Sequence, residues 1–155
     1  MPSRRDQIRM SDEELRAFLA EQMIVNCATI GPQGRPHQVP LWYVADGTEL
    51  RGWKYAKSQK TKNLERDPRA TLLVEDGVQY HELRGAMLEC DVELERDTER
   101  VADYGIDLFT RYSSGAELPP EVREQVRKQA PKRVGLRFNP TRVVSWDHSK
   151  LGGAY

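Results

Sequence analysis

Between Met23 and Glu95 the chain is interrupted at short intervals by turn signals: Gly31-Pro32-Gln33-Gly34, Asp46-Gly47, Asp67-Pro68 and Asp76-Gly77. The segments between them include "MIVNCATI", "RPHQVPLWYV", "TELRGW", "RATLLVE" and "QYHELRGAMLECDVEL". They are rich in β-branched and aromatic residues and read as strands. Parallel neighbours need a crossover of a dozen or more residues, and most of these connections are far shorter, so the sheet must be antiparallel. In the last segment Glu89, Asp91, Glu93 and Glu95 alternate with Cys90, Val92 and Leu94. That period of two puts acids on one face and apolar groups on the other. Carboxylates two apart on an exposed face do not converge, so the row reads as a solvated edge and no metal is assigned.

Helices are expected around this sheet. "SDEELRAFLAEQ" opens with Ser11 and carries Glu14 three positions on, a capping box, and Leu15, Phe18 and Leu19 share one face of a helix over Asp12 to Glu21. "SQKTKNLER" reads as a short helix stopped by Asp67-Pro68, since a residue before proline avoids the helical region. "DTERVADYGIDLFTRY" and "PPEVREQVRKQA" read as two more helices, the second started by Pro119-Pro120. "KRVGLRFNPTRVVSW" gives two strands about a turn at Asn139-Pro140. Six or seven short strands with peripheral helices suggest a small antiparallel barrel, since closure removes exposed edges. The 155 residues fit one domain. Its ends, 1–10 and 148–155, read as flexible or partner-contacting tails.

Lys plus Arg and Asp plus Glu both number 24, so the molecule as a whole does not advertise a nucleic-acid binder. No apolar run approaches a membrane span, and "MPSRRDQIRM" lacks the apolar core of a signal peptide, which points to the cytoplasm. Cys27 and Cys90 sit in apolar surroundings and read as buried reduced thiols.

Against that neutral total, Arg51, Lys54, Lys57, Lys60 and Lys62 follow one another without an acid between them, at the start of a helix. A helix N-terminus is already partly positive, so cations there are badly placed unless an anion compensates. Ser58 stands at the N-cap, and Lys57 and Lys60, three apart, reach the same side of the first turn. Trp53 and Tyr55 interleave the charges, as beside a ring system carrying a phosphate. A solvated lysine-rich helix and a single-stranded nucleic-acid surface use the same residue types, although the latter would extend beyond one segment.

"GRPHQVPLWYV" followed by "KSQKTKNLERDPRATLLV" resembles the split-barrel flavin- and deazaflavin-binding superfamily that includes pyridoxamine-phosphate oxidase. The closing "WDHSKLGGAY" resembles its actinobacterial deazaflavin-dependent branch. The resemblance implies a mainly β fold, a six-stranded antiparallel split β-barrel, and a homodimer with a cofactor between subunits. It places the cofactor phosphate on Lys57, Ser58 and Lys60, with Asn63 bracing the helix start. Val39, Pro40, Leu41 and Trp42 would offer backbone groups along the ring system, and Trp53, Lys54 and Tyr55 would close one side of the cleft. Gln79, His81, Trp146 and His148 would approach from the partner chain.

The resemblance implies coenzyme F420 as cofactor, with FMN as the alternative. The anionic tail of F420 would suit Arg51, Lys54 and Lys62. The reaction would be hydride transfer from the reduced ring to a small organic acceptor, with reactivity supplied by the cofactor. No protein nucleophile is required, and no catalytic residue is assigned; His37, Tyr43, Tyr55 and His148 are candidate proton donors, each as readily explained by packing. An FMN-dependent oxidase or flavin reductase, a biliverdin-type reductase using Arg35, Arg84 and Arg142 for propionates, and a non-catalytic cofactor carrier remain alternatives. The three histidines show no metal-ligand spacing.

Overall fold

A computed structural model of the chain describes residues 1–153; the last two residues of the tail expected over 148–155 lie outside the described residues. Two helices, α1 (Arg4–Ile8) and α2 (Asp12–Glu21), precede four strands: β1 (Val25–Ile30), β2 (Pro36–Leu41), β3 (Val44–Asp46) and β4 (Glu49–Tyr55). Helix α3 (Gln59–Arg66) leads into β5 (Arg69–Asp76), a short turn at Tyr80–Glu82 and β6 (Arg84–Glu95). Helices α4 (Thr98–Arg111) and α5 (Pro120–Gln129) come before β7 (Arg133–Asp147), and a last turn spans His148–Leu151.

The strands form one antiparallel sheet in the order β2-β1-β5-β6-β7-β4-β3. Its two outermost strands are consecutive in the chain, with only Trp42 and Tyr43 between them, so the curled sheet's edges are joined covalently. This corrects the expected six strands to seven. The segment read as one strand pairs first with β1, Val39 opposite Cys27, and then with β4, Val44 opposite Arg51. No single straight strand can serve both neighbours, and it breaks at Trp42–Tyr43.

A second correction concerns residues 133–147, which form one long strand and not two about a turn. Glu89 faces Arg142 and Cys90 faces Pro140, leaving Thr141 as the extra residue of a bulge. The proline that suggested a turn sits at this bulge, where its missing N–H costs the ladder least.

The barrel interior is filled by Leu19, Val25, Cys27, Tyr43, Leu50, Leu72, Val74, Leu88, Leu136 and Phe138. A second apolar layer forms where α4 and α5 cover β4: Trp53 lies against Val101, Ala102, Ile106 and Val126. The helix caps follow the sequence: Ser11 Oγ accepts from the Glu14 N–H at 3.1 Å and Glu14 accepts from the Ser11 N–H at 2.7 Å. Within the expected N-terminal tail, Met10 is buried and its N–H donates to Ser145 Oγ at 3.1 Å. Lys150 joins the two ends, its Nζ donating to Glu14 at 2.6 Å and to the Arg9 carbonyl at 2.8 Å.

Candidate cofactor site

Helix α3 leaves the end of β4 and crosses towards β5, laying Lys60, Thr61, Asn63 and Leu64 on the barrel. Ser58 is its N-cap and accepts from the Thr61 N–H at 3.2 Å. The Thr61 hydroxyl donates to the Tyr55 carbonyl at 2.8 Å. Asn63 Nδ2 donates to the buried Thr29 hydroxyl at 3.0 Å, while its Oδ1 accepts from Gln59 at 2.7 Å. Asn63 thus pins the helix to β1, and Arg66 adds a bond to the Ile30 carbonyl. The first turn holds no acid.

Lys57 is exposed and Lys60 is only 1% exposed, with no hydrogen-bond partner for its Nζ among the described residues. Burial pulls the Lys60 amine down to about 8, with Lys54 adding to the depression and Cys27 opposing it. A buried ammonium without a partner is costly, so this position calls for an anion that the chain itself does not supply.

β4 meets the end of β2 closely: a Cβ on Gly52 would lie 3.2 Å from the Trp42 carbonyl oxygen. β2 pairs on one side only, with β1, so alternate backbone groups from Val39 through Pro40 to Leu41 are open along its outer edge. Trp42 is 44% exposed and stacks on Tyr112 at 4.1 Å, with Phe109 edge-on at 6.1 Å. Trp53 is partly buried beneath α4, Lys54 is half-buried, and Tyr55 is half-exposed. Arg133 lies over both rings, 4.6 Å from Trp53 and 3.7 Å from Tyr55. Burial lowers the pKa of its guanidinium, with Tyr55 opposing the shift.

The other expected residues collect elsewhere. Gln79 and His81 are exposed at the turn before β6, and His148 Nδ1 lies 3.0 Å from the Tyr80 carbonyl, its ring edge-on to Tyr80 at 4.6 Å. Trp146 covers Gly85, where a Cβ would come within 2.3 Å of the indole. Trp146 and His148 line an apolar groove of about 630 Å³ on the outer face of the sheet, with Ala28, Leu73, Met87 and Val144. This cluster lies at the far end of β7 from Arg133 and Tyr55, so one chain does not bring it to the lysines.

Several cations named from the sequence already have partners. Arg51 binds Glu49 at 2.7 Å and Asp46 at 3.5 Å, and Lys62 approaches Glu65 at 3.5 Å. Arg84 binds Asp76 at 2.6 Å, and Arg142 binds Glu89 at 3.2 Å. Among the candidate proton donors, Tyr43 is fully buried, donates to the Leu19 carbonyl at 2.6 Å, and is pushed up by burial to about 12. His37 is half-buried, and its Nδ1 has no hydrogen-bond partner among the described residues. No group of histidine, cysteine or acid residues suited to a metal ion occurs among the described residues. No helix among them is long and apolar enough to cross a membrane.

Sequence reasoning missed Arg133, Arg111 and Tyr112. Arg133 reaches the site only through its pairing with Tyr55 across β4 and β7, which no local pattern reveals. Arg111 and Tyr112 end a helix whose role was unassigned, and they hold the Trp42–Tyr43 break from outside the sheet.

The fold and its sequence match known proteins. A conserved hypothetical protein from Mycobacterium tuberculosis is 39% identical, with a TM-score of 0.89, over 99% of this chain and 95% of that one. An F420 reductase is 24% identical with a TM-score of 0.64, covering 83% of this chain and 94% of the other. An FAD-binding protein from Mesorhizobium loti is 16% identical with a TM-score of 0.66, over 88% and 94%. Among curated proteins, none matches. The sequence profile of pyridoxamine 5'-phosphate oxidase matches residues 11–147, and the chain therefore belongs to that family.

Proposed function

We propose that the protein is an oxidoreductase that uses coenzyme F420, transferring hydride from the reduced deazaflavin to a small organic acceptor. The observation that carries this reading is Lys60: a buried amine without a partner in the acid-free first turn of α3, beside Lys57 and the Ser58 cap. These residues fit a phosphate. The open edge of β2 over Val39–Leu41 fits the hydrogen-bonding rim of a flavin-like ring, and Gly52 lets β4 pack closely against Leu41 and Trp42 at its end. When bound, the cofactor supplies the hydride; the chain's own residues anchor the phosphate, align the ring and exclude water.

The F420 reductase among the structural relatives supports the choice of cofactor, though its likeness extends only to the fold. FMN is the second reading, favoured by one observation. Arg51 and Lys62, cations suited to the acidic tail of F420, are engaged by Glu49, Asp46 and Glu65, which leaves Lys54 of that set for the tail. Arg84 and Arg142 likewise carry carboxylate partners, so a tetrapyrrole's propionates would have to displace them.

The working unit in this reading is a homodimer. The apolar groove at Trp146 and His148 is unfilled by the described residues, and its distance from α3 means that a cleft using both clusters needs a second copy. Titration of the purified protein with oxidised F420 and with FMN, followed by cofactor fluorescence, tests the reading. Tighter binding of F420 supports it, tighter binding of FMN moves the protein to flavin chemistry, and binding of neither refutes both. Light scattering at micromolar concentration tests the dimer, which a monomeric mass would contradict.

A further inference from the structure

Ser58, Thr61 and Asn63 at the start of α3 have partners within the chain, whereas the buried Lys60 Nζ has none among the described residues. Ser58 Oγ caps Thr61 and lies 3.0 Å from its hydroxyl; Thr61 donates to the Tyr55 carbonyl; Asn63 is shared between Thr29 and Gln59. The ionisable groups acting on the Lys60 amine are Cys27 of β1 and Lys54 of β4. Cys27 is buried, and that burial raises its thiol to about 11, so it stays neutral and provides no counter-charge. Lys54 is another cation. An ammonium in this position would be buried, beside a like charge and without an acceptor, and the uncharged amine relieves all three penalties.

We infer that an oxyanion in the site completes the charging of Lys60, so that above neutral pH a phosphate bound at α3 draws a proton from solvent onto the Lys60 amine. This rests on the proposed phosphate role of α3 and adds its mode of control. The step is a protonation alone: the nitrogen lone pair takes a proton from water or buffer, and the resulting ammonium donates to the phosphate oxygen. A ligand that brings a full negative charge to the amine is favoured over a neutral ring compound, and above about pH 8 its affinity weakens as pH rises.

Calorimetric titration with oxidised F420 at about pH 8.5, in Tris and in bicine, reads the proton directly through the difference in buffer ionisation heat. About three quarters of a proton is expected per ligand, because an amine titrating near 8 is mostly uncharged there. The dissociation constant should rise several-fold between about pH 8.5 and about pH 9.5. Lys60→Met should bind more weakly with no proton uptake and no such pH slope, and Lys60→Arg, whose guanidinium does not deprotonate, should also lose the slope. Binding by the wild-type protein without proton uptake overturns the inference while leaving the cofactor reading intact. If F420 and FMN fail but pyrophosphate binds with proton uptake, the cofactor reading falls and the inference stands. Failure of all three ligands overturns both.

Discussion

Arg111 holds Tyr43 at the point where the sheet's closing strand breaks. Its Nη1 donates to the Tyr43 carbonyl at 2.7 Å, its Nη2 donates to the Ala20 carbonyl at 2.8 Å and also to that of Gln22, and its guanidinium lies 4.7 Å from the centre of the Tyr43 ring. Tyr112 completes the clamp, its hydroxyl accepting from the Tyr43 N–H at 3.1 Å and donating to the Met23 carbonyl. Three segments distant in sequence, the end of α2, the strand break and the end of α4, are thereby fixed to one another.

Replacing Arg111 by Met leaves these carbonyls without their charged donor. The unfolding free energy should fall by about 2–4 kcal/mol, the sum expected of charge-assisted bonds lost from partly buried acceptors. Arg111→Lys should recover part of the loss, because one ammonium cannot reach every acceptor. Urea denaturation followed by circular dichroism checks both variants; a change under about 0.5 kcal/mol for Arg111→Met, the scale of an ordinary surface substitution, would contradict the clamp.

Gly105 of α4 lies directly over the Trp53 ring, where an added Cβ would come within 2.4 Å. Alanine at an open helix position gains about 1 kcal/mol over glycine, yet here overpacking should reverse the sign to a loss of about 1–3 kcal/mol. In a Trp53→Leu background the cost of the same Gly105→Ala change should shrink, with the contact to Val126 Cγ1 at 2.8 Å remaining. Additive effects in that double-mutant cycle would show that the two residues do not press on each other.

Lys60 also sets a pH dependence of stability. Its folded value of about 8 lies below the ordinary 10.5, so between those values the unfolded chain binds more protons than the folded one. Stability therefore rises with pH across that window, and the full penalty of charging the amine applies below it. Lys60→Met should raise the unfolding free energy at pH 7 by roughly 1–3 kcal/mol, with the gain shrinking towards pH 10.5. Thermal melts at several pH values check this, and a gain that stays constant with pH would contradict it.

Cys27 and Cys90 should resist alkylation. Both are free and buried, and burial raises their thiols to about 11 and about 12. At pH 8 little thiolate is available, and neither residue is more than 2% exposed. Mass spectrometry should find native protein unlabelled by maleimide over the time in which denatured protein takes two labels; rapid native labelling would show that the barrel opens.

Local pattern made the antiparallel strands, the capping box at Ser11–Glu14 and the four longer helices legible. Period-two alternation between Glu89 and Glu95 and the apolar face of Leu15, Phe18 and Leu19 are properties of a few adjacent residues. The break at Trp42–Tyr43 was not legible, because it arises from two different neighbours, β1 and β4, claiming successive parts of one segment. Pro140 misled for a related reason: proline marks a turn or a bulge alike, and only the register with β6 decides. In the candidate site, the cation-rich start of α3 was visible as composition. That Lys60 points inward while Lys57 stays in solvent depends on how the helix lies on β1, and that Arg51 is taken by Glu49 depends on rotamers. Arg111 and Arg133 act across more than fifty residues of sequence, and no short motif announces such contacts.

The central claim is that the first turn of α3 holds the cofactor's phosphate. Its most direct test is the dissociation constant of oxidised F420 for the wild-type protein and for Lys60→Ala, measured near pH 7 under identical salt. A lost charge-assisted bond of about 1.5–3 kcal/mol predicts a constant raised by about tenfold to a hundredfold. Equal affinity of the two proteins, with both folded, would contradict the claim and leave Lys60 a buried amine of the barrel wall.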